Sequence, residues 1–306
     1  MNAPLNHFLG AVMLLTRAPV GRFYRHDPDE TPAHSVVYFP LVGLLVGIVG
    51  GVAGWAATFI LPVPLAVLVC MLSTVVITGG FHEDGLADAA DGLFGGQTPA
   101  RRLEIMKDSR IGAYGAVSLW FTLTARFLLL QELLRHAGGA LFLCILASAH
   151  ALGRGATVLL LQTLPYVSGA ESKSRRFTER LTSRQMAFAL LLPAAVGFVL
   201  PGPCGPSCLI AATLVAVCAG RWFWNKIGGI TGDCLGATNQ LVELACYGVA
   251  VTYLLHPFSG SLSLAACRPV LGSEGSSRLA RPFNAWSESD APVARRRFYG
   301  PKGQEN

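Results

Sequence analysis

Asp84, Asp88 and Asp91 stand at i, i+4 and i+7 in the run Phe81-His82-Glu83-Asp84-Gly85-Leu86-Ala87-Asp88-Ala89-Ala90-Asp91-Gly92. On a helix of 3.6 residues per turn they fall within about 60° of one another and form one acidic stripe. Carboxylates at this spacing repel, and no Lys or Arg is interleaved to relieve them. Hard divalent cations such as Mg²⁺ take oxygen ligands and convert that repulsion into coordination. Gly85, Ala87, Ala89, Ala90 and Gly92 leave room for a bulky substrate to reach the backbone. A solvated acidic face is the plainer reading of one or two acids; the repeated spacing beside an apolar run argues against it. His82, at the edge of that run, suits an interfacial residue as well as a contact to metal or phosphate.

A second constellation follows, Arg101-Arg102-Leu103-Glu104-Ile105-Met106-Lys107-Asp108-Ser109-Arg110-Ile111-Gly112. Lys107 and Arg110 are suited to a diphosphate whose remaining oxygens lie on the metal. A topological anchor accounts for Arg101 and Arg102 but does not call for Asp108 among them. The third is Lys226-Ile227-Gly228-Gly229-Ile230-Thr231-Gly232-Asp233-Cys234-Leu235-Gly236-Ala237-Thr238-Asn239. Gly229, Thr231 and Gly232 are expected in a backbone-rich loop that cradles phosphate, and Asp233 offers a further metal ligand.

The elements that must carry these residues lie in a membrane. Asp, Glu, Lys and Arg make up only 14% of the 306 residues, against 52% apolar, and the mean hydropathy is +0.48. That composition excludes a soluble two-domain enzyme, disorder, collagen and coiled coil. A helix needs about 20 apolar residues to cross the hydrocarbon core. Runs of that kind are read at about 39–61, 65–81, 111–130, 140–164, 186–200, 207–220 and 240–255, so the expected fold is all-α, a polytopic membrane protein of about seven spans with short connections. Charge concentrates in 17–34, 82–110, 165–185 and 221–238, whereas 62–64, 131–139 and 201–206 hold one Arg between them. By the positive-inside rule the charged set is cytoplasmic. The formal charge of +6 therefore reflects topology and no nucleic-acid partner is expected. Residues 6–20 read as an interfacial helix rather than a cleaved signal. No C-x-x-C pair occurs among the 8 cysteines, so neither a disulfide framework nor a zinc site is indicated. Arg126, Arg154 and Glu243 fall inside apolar runs and are expected to face the bundle interior. From 257 onward Ser, Gly, Pro and Arg replace Leu and Val, which reads as a disordered tail over 257–306 following a membrane-embedded domain over 1–256.

The three constellations resemble the cobalamin synthase family, the adenosylcobinamide-GDP ribazoletransferases. The resemblance rests on His82-Glu83-Asp84-Gly85-Leu86-Ala87-Asp88 with Asp91-Gly92, on Ile105 to Gly112, and on Gly229-Ile230-Thr231-Gly232-Asp233 followed by Leu235-Gly236-Ala237, with lesser agreement at Leu15 to Val20 and Phe39 to Gly43. It covers about residues 8 to 255; the tail has no counterpart. It implies a multi-pass bacterial inner-membrane enzyme that joins adenosylcobinamide-GDP to α-ribazole or its 5′-phosphate, releases GMP and uses Mg²⁺, with other cobalamin-assembly enzymes as possible associates. The residue chemistry assigns metal to Asp84, Asp88, Asp91 and Asp233, substrate contacts to His82, Lys107, Arg110, Gly229, Thr231 and Gly232, and catalysis to Glu83, Asp84 or Asp108, one of which is expected to act as base. The stripe also looks like the acidic motif of CDP-alcohol phosphotransferases, to which the second and third constellations do not belong. A secondary transporter predicts mid-membrane polar sites and an internal repeat; here the acids cluster at one boundary and no repeat is found.

Overall fold

The structure, a computed structural model, describes residues 3–25, 32–167 and 179–256. Parts of two charged segments and the whole tail from 257, including its expected disorder, lie outside the described residues. Within them the chain is helical, in the order α1 (Ala3–Leu15), α2 (Phe39–Ala57), α3 (Val63–Thr78), α4 (Phe81–Gly95), α5 (Pro99–Ile105), α6 (Ala113–His136), α7 (Gly138–Thr163), α8 (Ser183–Gly197), α9 (Cys204–Ile227) and α10 (Gly232–Leu255), with short 3₁₀ turns at Gly21–Phe23 and Pro32–Tyr38. A single parallel bridge between Tyr166 and Ile230 is the only β pairing among the described residues. The described cysteines are free thiols.

Each apolar run became a helix; length and composition do not confirm the exact count of about seven spans. Among the described residues four helices are long and apolar enough to cross a membrane, His34–Ala57, Ala113–His136, Gly138–Thr163 and Cys204–Ile227, or five if α3 and α4 form one bent span. α8 has only 15 residues with Pro193 inside, and the first half of α10 carries Asp233, Asn239, Gln240 and Glu243. The outer faces carry exposed Ile60, Leu72, Val76, Trp120, Phe121, Leu191, Ile210 and Leu214, an apolar girdle that water does not solvate and lipid does.

Local sequence sets the elbows. Pro62 precedes α3 as its N-cap and a second proline sits in its first turn, so α2 and α3 form a tight hairpin. Gly79 and Gly80 both take left-handed backbone, with φ of 69° and 71°, where a side chain would be strained. The result is an 85° bend between α3 and α4. Glu83, Asp84, Asp88 and Asp91 within 15 residues keep α4 out of hydrocarbon, and it turns away along the end of the bundle.

The centre of the bundle is α7, nearly all of whose middle is buried. α2 packs on it through glycines: a β-carbon on Gly47 would lie 2.6 Å from the Leu146 carbonyl oxygen. The opposite side of α2 uses Gly54 in the same way against Cys70 of α3. Such small-residue seams let helix backbones approach where lipid removes the hydrophobic drive between helices.

Candidate active site

The fold brings the three constellations to one end of the bundle. The first turn of α10 backs directly onto α4: a β-carbon on Gly85 would sit 3.1 Å from the Asp233 Cα, and one on Gly236 would sit 3.3 Å from the Gly85 Cα. Asp91, in the third turn of α4, accepts the amides of Gly112 at 2.7 Å and Gly115 at 2.9 Å and so joins α4 to the start of α6. Arg102 of α5 donates from Nη1 to the Lys226 carbonyl at 2.8 Å, and the Thr231 hydroxyl lies 3.9 Å from the Met106 sulfur. A cleft of about 470 Å³ opens beside Asp91, bordered by Asp108, Arg110, Gly112 and Tyr114.

Asp84 is exposed and Asp88 half-buried on the same face of α4. Burial first, and then the charges of Asp84, Asp233 and Asp91, push the Asp88 carboxyl up to about 7. That shift records burial first and, with it, negative charge that no neighbouring cation relieves. Among the described residues no basic side chain pairs with Asp84, Asp88 or Asp233. Oxygen donors with unrelieved charge fit a hard divalent ion. Among the described residues, however, no group of three or more His, Cys, Asp or Glu side chains converges to hold one. Asp91 differs from its three companions, because both of its oxygens already serve the amides of α6.

The remaining expected site residues divide. Lys107 is exposed. Arg110 is also exposed and forks onto Asp108, with Nη2 to Oδ2 at 2.7 Å and Nε to Oδ1 at 3.0 Å; these bonds hold the Asp108 carboxyl down to about 2. His82 is buried and points into the bundle beside Arg154, Thr157 and Gly236, away from the cleft. Its burial, and then the positive charge of Arg154, hold it well below its ordinary pKa, so it is a neutral interior residue. The glycine-rich segment is a loop only from Gly228 to Thr231, and that loop is tied down. The Ile230 amide donates to the Pro165 carbonyl and the Val167 amide to the Ile230 carbonyl, both at 2.9 Å. Gly229 packs against Pro165 and Val167, and the buried Thr231 hydroxyl caps α10 by accepting from the Cys234 amide at 3.3 Å. Gly232 begins α10. The segment thus anchors Asp233; among its three expected phosphate contacts, Gly229 and Thr231 are occupied by the fold.

Glu83 turns inward from the stripe. Its Oε1 accepts from Gln240 Nε2 at 2.9 Å, and behind Gln240 lies a buried polar cluster of Arg126, Glu243, Arg154, His150 and Asn239. The sequence signal for that cluster was present in Arg126, Arg154 and Glu243, three ionisable residues within apolar runs; Gln240, Asn239 and His150 carried none.

Fold and site together define a polytopic all-helical membrane protein with a carboxylate-rich, cation-flanked site at one end of its bundle. The family model described as cobalamin-5-phosphate synthase matches residues 7–251, and the chain belongs to that family. Among similar proteins are the adenosylcobinamide-GDP ribazoletransferases of Shewanella frigidimarina, 40% identical over 247 residues that cover 79% of this chain and 93% of the relative, and of Ralstonia nicotianae, 41% identical over 252 residues covering 79% and 93%. That of Leptothrix cholodnii is 39% identical over 246 residues, covering 78% and 92%. No solved structure matches the chain.

Proposed function

We propose that this protein joins adenosylcobinamide-GDP to α-ribazole, or to its 5′-phosphate, and releases GMP. The observation that carries the reading is the convergence of the stripe on α4, the Lys107 to Arg110 loop and Asp233 at one end of a bundle of this family. A nucleotide diphosphate repels an incoming hydroxyl until its charge is neutralised. Asp84, Asp88 and Asp233 would hold Mg²⁺, with Asp91 mainly a structural cap. Bound there, the ion supplies charge neutralisation on the diphosphate oxygens.

The chain's own residues do the rest. Arg110, which lines the cleft, and Lys107, exposed three residues before it, bind the diphosphate, and Arg110 exchanges Asp108 for a phosphate oxygen as it does so. The ribose hydroxyl of α-ribazole attacks the phosphorus on the corrinoid side. A P–O bond forms there, the bond to GMP breaks, and the hydroxyl proton passes to a carboxylate, Asp108 at the cleft or Asp84 on the stripe. The active end faces the cytoplasm of a bacterial inner membrane, the side that the charged segments select.

Purified protein in detergent, given adenosylcobinamide-GDP and α-ribazole with Mg²⁺ or with EDTA, tests this. Metal-dependent appearance of GMP together with the joined corrinoid is the expected result. Folded protein that releases no GMP with either acceptor overturns it.

A further inference from the structure

Arg126, Glu243 and Arg154 are buried between α6, α7 and α10, with 3%, 1% and 2% exposure. Charges so placed persist only when they are compensated, and here one carboxylate stands between two guanidiniums, while Arg126 Nε and Arg154 Nε take no hydrogen bond among the described residues. Glu243 takes Arg126 Nη2 on Oε2 at 2.7 Å, and Asn239 Nδ2 at 2.9 Å and Arg154 on Oε1. The mechanism above uses none of them, yet the cluster does not end there. Arg126 also donates to Gln240 Oε1, and the Gln240 amide passes on to Glu83 Oε1, next in sequence to Asp84.

We propose that Arg126 and Gln240 are positioning residues: through Glu83 they fix the register of α4 on α10 and so set Asp84 and Asp88 against Asp233. The proposal rests on the transferase reading for its consequence in turnover, and on the helix contact alone for its structural part. Asp233, Gly236, Gln240 and Glu243, at i, i+3, i+7 and i+10, lie on one face of α10. That face meets α4 at two levels, Gly236 against Gly85 and His82, and Gln240 against Glu83. The glycine contact brings the helices close but tolerates sliding, since it has no direction. The amide bridge does have one. Arg126 can only donate and an ionised Glu83 can only accept, so the Gln240 amide has a single satisfied orientation. A slip of α4 by one residue, about 1.5 Å along its axis, leaves buried donors unmatched. Arg126 Nη1 lies 3.5 Å from Glu83 Oε1, too long to replace the bridge.

This makes Glu83 an anchor rather than the base that its place in the stripe suggests. Its Oε2 is buried and takes no hydrogen bond among the described residues, the one feature that favours the base, and the experiment separates the two. kcat and KM for GMP release, per folded molecule, are measured for Gln240→Ala, Glu83→Ala and the double variant, together with hydrogen exchange across 81–92. Gln240→Ala is expected to lower kcat by about ten-fold or more and to leave KM for adenosylcobinamide-GDP within about two-fold. The double variant is expected to be no slower than the slower single one, as two links of one chain require. Arg126→Lys retains more kcat than Arg126→Met. Exchange in α4 rises in Gln240→Ala while that in α7 stays as it was. An unchanged kcat, single losses that multiply in the double variant, a loss confined to folded yield, or turnover abolished by Glu83→Ala alone each overturn the proposal. If wild-type protein releases no GMP, the transferase reading has failed separately; exchange in α4 then decides the register, and unchanged exchange overturns it.

Discussion

Asp91 accepts the Gly115 amide at 2.9 Å across the gap between α4 and α6, so a carboxylate of the acidic stripe is also the cap of a long apolar helix. Its second oxygen holds the Gly112 amide, and a β-carbon at either glycine would run into the carboxylate. The first-turn amides of α6 have no partner within their own helix, and a charged acceptor satisfies two of them. Asp91→Ala is therefore expected to lose about 2 kcal/mol of stability, and Asp91→Asn, which keeps one acceptor, less. Thermal unfolding in detergent reads this. An Asp91→Ala protein that melts like wild type but needs much more Mg²⁺ would show that Asp91 is a ligand and not a cap.

Asp108 and Arg110 neutralise each other at the mouth of the cleft, with side chains 39% and 87% exposed. An exposed pair contributes little to stability, so Asp108→Asn should leave the melting temperature unchanged. What it changes is competition: Arg110 no longer has to leave a carboxylate before it meets phosphate. KM for the GDP-linked substrate is expected to fall in Asp108→Asn if Asp84 is the base; kcat is expected to collapse if Asp108 is. With its carboxyl held near 2 by Arg110, Asp108 stays ionised throughout the working range. An acid limb of the wild-type rate profile between about pH 5 and 8 therefore belongs to another group.

The cluster around Glu243 makes a stability prediction. Glu243→Gln leaves Arg126 and Arg154 buried with one neutral partner between them, and breaking a buried ion pair from one side costs about 3–5 kcal/mol. The variant should fail to accumulate as a monodisperse species on size exclusion, whereas Leu241→Met, an apolar exchange at an exposed site on the same helix, should behave as wild type. Normal folding of Glu243→Gln would mean that the cluster is dispensable.

The helices were legible because apolar run length is nearly all that a membrane helix requires. Their ends were not. α9 continues through Arg221 and Lys226 and α10 begins at Gly232, because charge near a boundary can sit on the outer face of a helix without ending it, as long side chains reach for water. Close packing hid the nature of the third motif: Gly236 reads as loop, but its missing side chain serves contact with Gly85. The stripe itself could be read from spacing within one helix. The bond from Gln240 to Glu83 joins residues 157 apart, and the cap from Asp91 to Gly115 joins two separate helices; no local pattern encodes either. Intramembrane charge did foretell that Arg126, Arg154 and Glu243 would meet inside, but not which acid each arginine would take.

Asp88 supplies the pH dependence. Its carboxyl is held up at about 7, well above the value of about 3.9 for an unfolded chain. Protonation is thus favoured in the folded protein, and the associated stability is fully present below about pH 4 and is lost as the pH rises through about 7. Protein stripped of divalent ions is therefore expected to melt at progressively lower temperature between about pH 4 and 7 and to level off above it. A cation on the stripe replaces the proton as the source of neutralisation and releases it. Mg²⁺ should accordingly raise the melting temperature more at pH 8 than at pH 5.5, and its binding near pH 6.5 should release protons measurable by calorimetry in two buffers of different ionisation enthalpy. Asp88→Asn should reduce the pH trend, Asp233, pushed up to about 6 by its burial, keeping part of it, and should abolish most of the Mg²⁺ effect. If the metal-free melting temperature is flat with pH, or if Mg²⁺ stabilises Asp88→Asn as much as wild type, the carboxylates of α4 and α10 do not share the charge that this geometry assigns them.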